Sequence, residues 1–245
     1  MLNLMKSEQY RWVRTKNYYY YGLLCAVLMA GAAVTLAVFH HSDPGFPYGN
    51  ERFFYRNVLA MMPVVFALLT IFTGILMGDH KHVLKNTVAY GFSRRSIYTA
   101  KLLVTLAGFL LFALVLVGIS VLLGTNLLFR SYEYALTEYC QMLLGMLPVM
   151  IAGVTTYFCL TAVLNKNAQV TTVFLLIYFL PYMILGAFKG KYVWAAWLHS
   201  HSPAYYLFNA YDVGTYTVWE PWITGMVFTV FFYVLGLYLF RKEEF

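Results

Sequence analysis

Charge is scarce in this sequence. Only 11% of its 245 residues are Asp, Glu, Lys or Arg, whereas an ordinary soluble domain carries about 25%. Hydrophobic residues make up 61%, more apolar surface than a soluble fold can hide, so the surrounding solvent must largely be lipid. Cysteine is equally sparse. Cys25, Cys140 and Cys159 form an odd set with no CxxC spacing, which excludes a disulfide framework and leaves small apolar packing residues. A GxxxxGK[ST] phosphate loop is missing, since the faint likeness at Gly186–Lys191 is too short and runs into Tyr192. No HExxH, GxSxG or pair of glutamates within an apolar run supports catalysis. The histidines fall in close pairs. Lys81 separates His80 from His82 and would repel a metal, and His199 and His201 have no following carboxylate before Asp212. Zinc needs three or four ligands, so no metal, cofactor or catalytic residue is assigned to this chain.

What is abundant is long apolar sequence. A helical crossing of the hydrocarbon core takes about 20 apolar residues. Six stretches qualify: Tyr18–Phe39, Val58–Met77, Leu102–Leu123, Tyr139–Val163, Gln169–Phe188 and Trp222–Phe240. None has the alternation of a barrel strand, and the first is too long for a signal-peptide core. The expected fold is a single all-α membrane domain over 1–245, with an interfacial helix at 1–17, a six-span bundle at 18–240 and a tail at 241–245. The spans carry essentially no Asp, Glu, Lys or Arg. Proton- and sodium-coupled carriers need such groups near the midplane. A transporter built this way must borrow its energy or act as a passive channel.

The net charge of +7 suggests nucleic acid until the charges are placed. With the N-terminus in the cytoplasm, Lys6, Arg11, Arg14, Lys16, Lys81, Lys85, Arg94, Arg95, Lys101, Lys166, Arg241 and Lys242 fall on the cytoplasmic side. Only Arg52, Arg56, Arg130, Lys189 and Lys191 fall outside. This is the positive-inside bias and puts both termini in the cytoplasm. The basic balance therefore reports topology and anionic lipid, not nucleic acid.

Between the spans, local chemistry suggests further elements. Leu2, Met5, Gln9, Trp12 and Lys16 share a helical face, with Lys6, Glu8 and Arg14 mostly elsewhere, as in a helix lying at the interface with Trp12 among the headgroups. A frayed basic tail is the alternative. Tyr18–Tyr21 mark an aromatic belt. Pro44, Gly45, Pro47 and Gly49 make 40–57 an irregular outer turn. Gly78 ends the second span, Asp79 can cap a helix running to Tyr90, and Ser93 can cap the third span. Five residues, 164–168, separate the fourth and fifth spans and make them antiparallel neighbours. Pro148 and Pro181 should kink them unless neighbouring groups satisfy the freed carbonyls, while Gly145 and Gly153 permit close approach. The aromatic segment 189–221 is expected to fold back as a partly re-entrant outer hairpin, with a short helix starting near Pro203.

The run from Lys85 to Leu103, KNTVAYGFSRRSIYTAKLL, resembles a segment of type-2 ABC exporter permeases, in particular the bacitracin-resistance, lantibiotic-immunity and peptide-toxin branch. The resemblance implies that the loop between spans 2 and 3 holds a coupling helix docking on a separate ATPase subunit. Its docking face would comprise Asp79, His80, Val83, Leu84, Thr87, Val88 and Tyr90, followed by Gly91, Ser93, Arg94 and Arg95. The interfacial helix, with Leu2, Met5, Trp12 and Arg14, would also approach the ATPase. ATP and Mg would reside on that partner, a second permease copy or related permease would complete a dimer, and the home would be a bacterial cytoplasmic membrane. Amphipathic, antimicrobial or cytolytic peptides are the implied cargo. A passive channel or uncoupled carrier, a membrane enzyme, and a non-transporting immunity or sensor subunit remain the alternatives.

Overall fold

The computed structural model describes residues 2–43, 45–77, 91–164, 166–212, 214 and 216–242. Among the described residues the chain forms helices and no strand. In chain order these are α1 (Leu2–Val13), α2 (Lys16–Ser42), α3 (Glu51–Ala60), α4 (Met62–Met77), α5 (Arg94–Leu127), α6 (Ala135–Thr161), α7 (Asn167–Phe188), α8 (Val193–Ser200), α9 (Pro203–Phe208) and α10 (Trp219–Lys242). Five of them are long and apolar enough to cross a membrane, and six crossings result if α3 and α4, bent by 56° at a short break, form one.

The expected spans reappear as α2, α4, α5, α6, α7 and α10, with shifted ends. The largest shift is in α5. Its apolar core begins at Leu102, but the helix starts at Arg94, where the Ser93 hydroxyl accepts a hydrogen bond from Ser96 N at 3.2 Å. That satisfies one of the orphan donors of the first turn.

The segment 40–57, expected as an irregular turn, is not irregular throughout. Asn50 caps α3 by accepting from Phe53 N at 2.8 Å. Phe54, Tyr55 and Leu59 then turn one face inward. The turn residues at 44–49 end before this point, and the Asn-Glu start at Asn50–Glu51 is the sequence signal that the wider loop reading passed over. The segment before α3 is also tied down: Glu51 N donates to Phe129 O at 3.1 Å and Phe129 N to Gly49 O at 3.3 Å.

α6 is the axis of the bundle. Its most apolar stretch is 72% buried, against 6% for α2, so the first span is almost entirely peripheral. The most extensive helix pairing is α6 with α10. Gly225 of α10 makes it possible, because a Cβ there would lie 2.5 Å from the Pro148 carbonyl carbon. Pro148 has no N–H, which frees the carbonyl of Leu144 one turn earlier. Trp222 Nε1 donates to that oxygen at 3.1 Å. The proline expected to perturb the span is thus accommodated by its neighbour. Hydroxyl pairs across helices add directional contacts: Ser120 with Tyr139 at 2.7 Å and Thr156 with Tyr178 at 2.8 Å. Each satisfies two groups that would be costly to leave unpaired in an apolar interior.

After α7 the chain turns back through α8 and α9. Ser202 caps α9, accepting from Tyr205 N at 3.3 Å, and Pro203 occupies its first turn, where a missing N–H costs nothing. Ala204, Tyr206, Leu207 and Ala210 are fully buried, so this segment packs into the bundle against α4, α7 and α10. His199 and His201 do not converge. His199 stacks on Tyr182 at 4.5 Å and His201 on Trp197 at 4.6 Å.

Two outcomes test this packing. Gly225→Ala forces α10 away from the Pro148 backbone and is expected to cost about 1–3 kcal/mol, read as a lower thermal midpoint in detergent. Gly118→Ala, where a Cβ would meet nothing within 4 Å, leaves the midpoint unchanged or raises it. Burial, reinforced by Lys189, pushes the His199 imidazole below its usual pKa of 6.5. The fold therefore favours the neutral ring. Its contribution is complete above pH 6.5 and is lost as pH falls through the lower folded value. An NMR titration should find the His199 ring midpoint below 6.5, with proteolysis of the α8–α9 segment increasing in acid.

Candidate functional site: the junction beneath the first helix

α1 is not separate from the bundle. Its half-buried residues are Leu4, Met5, Glu8, Arg11 and Trp12, a stripe that recurs every three or four positions. Leu4 packs against the small cluster of Ile97, Tyr98, Leu102, Phe158 and Phe240. Trp12 lies against Gly108 of α5, so close that a Cβ there could not fit. Its ring also meets Tyr18 at 5.2 Å. The indole expected among headgroups thus has protein partners. The inward face is also rotated from the one expected: Gln9 is exposed and Glu8 points in.

Glu8 faces inward because cations meet it there. Lys101 Nζ, on α5, is 3.5 Å from Glu8 Oε1, and both side chains are only 13% exposed. Arg11 Nε and Nη2 donate to Glu8 Oε2 at 2.9 and 2.6 Å. Arg11 Nη2 also donates to Leu76 O at 2.9 Å. Leu76 lies in the last turn of α4, where carbonyls lack intrahelical partners and a cation suits the dipole. One carboxylate therefore links α1 to the start of α5, and through Arg11 to the end of α4. A charged group this poorly solvated is retained only with partners.

α4 and α5 are the helices that flank 78–90. Asp79, His80, Val83, Leu84, Thr87, Val88 and Tyr90, the expected docking face, lie outside the described residues. Of the residues that follow them, Gly91 has φ of +85°, a conformation glycine adopts without penalty. Ser93 caps α5. Arg94 Nη1 donates to Arg241 O at 2.8 Å, holding the last turn of α10 beside the start of α5. Arg95 is exposed and faces α10. On α1, Leu2 opens the helix, Met5 is half-buried, and exposed Arg14 places its guanidinium 4.2 Å over the Tyr10 ring.

The structure thus gathers α1, the end of α4, the start of α5 and the end of α10 on one face of the bundle. The first and last described helices both end there. Sequence reading found the helices and the Ser93 cap but missed the Glu8 cluster. The signal was present in the i, i+3 spacing of Glu8 and Arg11, but the partner Lys101 is distant in sequence.

An all-helical bundle with several apolar helices long enough to cross a bilayer defines a multi-pass membrane protein. Residues 1–216 match the model of the ABC-2 type transporter family, and the chain belongs to that family. No individually curated protein matched. Members are membrane transport components, generally not catalytic themselves, that typically work with an ABC ATPase.

Glu8→Ala leaves Lys101 and Arg11 facing each other without the acid. Breaking a buried ion pair from one side costs about 3–5 kcal/mol, so a large fall in thermal midpoint and faster trypsin cleavage within α1 are expected. Lys101→Met is the milder change, since Glu8 keeps Arg11. The double variant should be more stable than Glu8→Ala alone. Equal behaviour of all three variants would contradict this account of the cluster.

Proposed function

We propose that this chain is the permease subunit of an ATP-driven ABC exporter. The reading rests on family membership and on one structural observation: the Glu8 cluster ties α1 to the two helices that flank 78–90. A force applied to that segment would enter the bundle through α4 and α5 together. The same face carries most of the cations, which favours a cytoplasmic location for it and for both termini.

In this reading Asp79–Tyr90 forms the coupling helix and presents Val83, Leu84, Thr87 and Val88 to a groove of the ATPase. ATP and Mg stay on that subunit. Closure of two ATPase subunits moves the docked helices, and two permease copies, or this chain and a related permease, change between inward- and outward-facing arrangements. The α8–α9 segment would close the outer side as a partly re-entrant hairpin within the outer leaflet. The membrane would be the bacterial cytoplasmic membrane.

The cargo is proposed to be an amphipathic peptide of the antimicrobial or cytolytic kind, or a similar hydrophobic compound. The interior offers Phe66, Phe174, Tyr178 and Tyr157 rings, with Thr70 and Thr73 hydroxyls and no buried charge among them. A path opened through this packed core would present apolar surface with a few hydroxyls.

The test replaces the docking face. Val83→Glu with Leu84→Glu and Val88→Glu, in the chain co-expressed with its ATPase, should reduce peptide export at least tenfold. Copurification of the ATPase should weaken in parallel, while the membrane level of the permease is unchanged. Undiminished export coupled to ATP hydrolysis would overturn the proposal.

A further inference from the structure

A groove of about 410 Å³ runs between the start of α5 and the end of α10. Arg95 and Thr99 line one side. Tyr233, Val234, Leu237, Tyr238 and Arg241 line the other. Its volume lies in the range of about 300–1,000 Å³ common for ligand sites. The composition is graded along the helix axes. Arg95 and Arg241 sit at the terminal end. Thr99 lies one turn in from Arg95 and Leu237 one turn in from Arg241, roughly 6 Å each, while Tyr233 and Val234 follow about two turns in from Arg241, with the Thr99 and Tyr233 hydroxyls 3.0 Å apart. Val234 and Leu237 supply apolar wall.

No acid among the described residues lies within ion-pair distance of either guanidinium. Arg241 instead contributes its carbonyl to Arg94, which draws the two helix ends together. Two guanidinium groups brought to one groove mouth repel unless an anion lies between them. A protein acid could supply that anion, but so could a ligand. Cations at the mouth, followed inward by the Thr99 hydroxyl beside an apolar wall of Leu237 and Val234, suit a phosphate at the surface and an acyl chain running into the leaflet.

We propose that this groove binds one anionic phospholipid. Its phosphate is held between Arg95 and Arg241, its glycerol ester region lies near the Thr99–Tyr233 pair, and an acyl chain runs over Val234 and Leu237. Basic pockets between spans select headgroups in this way. Charge complementarity favours lipid over a second copy of the chain, whose contact would have to bring an acid to the same place. The lipid would act as an added brace between α5 and α10, beside the helix start that receives the Glu8 cluster. This inference needs only a membrane-embedded chain and is independent of what the protein transports.

Native mass spectrometry of the full chain, released from nanodiscs of equal phosphatidylglycerol and phosphatidylcholine, provides the test. The unaltered chain should retain one phosphatidylglycerol in preference to phosphatidylcholine. Each basic residue near the surface contributes about fivefold in affinity, so Arg95→Gln with Arg241→Gln should lower retention at least tenfold. Arg95→Lys with Arg241→Lys should keep most of it, and Arg56→Gln, at the opposite end of the bundle, should change nothing. Leu237→Trp, which fills the groove and leaves both arginines, should also expel the lipid. Millimolar inorganic phosphate should fail to displace it. Retention unaffected by the double glutamine variant, displacement by phosphate alone, or loss of a chain dimer instead of lipid would each overturn the proposal.

Discussion

The polar junction at the terminal face depends on one carboxylate. Glu8 must come out of water to reach Lys101, and it does so only because Arg11 shares the charge and then passes it on to a helix end through Leu76 O. Two cations and one anion at short range are tolerable in a poorly solvated place because the extra cation is spent on backbone carbonyl, which carries the negative end of a helix dipole. Without the acid, α1 would bring two like charges against α5 and lose its reason to dock. The hydrophobic contacts of Leu4, Met5 and Trp12 position the helix, and the ions fix its rotation.

Away from that junction the bundle is held by close apolar approach and by hydroxyl pairs. Lipid offers no hydrophobic reward for helix association, so shape and hydrogen bonding must supply it. Gly225 against Pro148, and Trp222 against the carbonyl that Pro148 frees, form one device: the residue that breaks the ladder of α6 also creates the acceptor that registers α10. Aromatic contacts serve the same end, with Tyr55 stacked on Tyr139 at 4.5 Å and Phe66 on Phe174 at 5.1 Å. At the opposite face ionic contacts return, as Arg52 reaches Glu138 at 3.6 Å and covers the Tyr132 ring at 4.2 Å.

The number and order of the long helices were legible from sequence because runs of about 20 apolar residues have few other uses. The Ser93 cap and the helix start near Pro203 were legible for a local reason: one residue and the backbone beside it determine each. α3 was harder. Its amphipathic face spans three turns, and prolines and glycines just before it dominate the composition of the region. The inward turn of Glu8 was not legible, since polarity alone assigns a glutamate to the outside and only the distant Lys101 reverses that. Which helix lies at the centre was likewise hidden. α2 and α6 are both apolar, yet one is peripheral and the other almost enclosed, and the difference lies in glycine placement against partners that hydropathy does not see.

α5 has 34 residues, which at 1.5 Å each makes a rod of roughly 51 Å. The hydrocarbon layer is only about 30 Å thick. The excess length lets the ion-paired start of α5 stand clear of the acyl chains while its middle remains inside them. A continuous helix is stiff, so a swing of about 10° pivoted at one tip carries the other through roughly 9 Å. The length of this single helix, set by a serine cap nine residues before its apolar core, turns a small angular change into a displacement larger than a side chain.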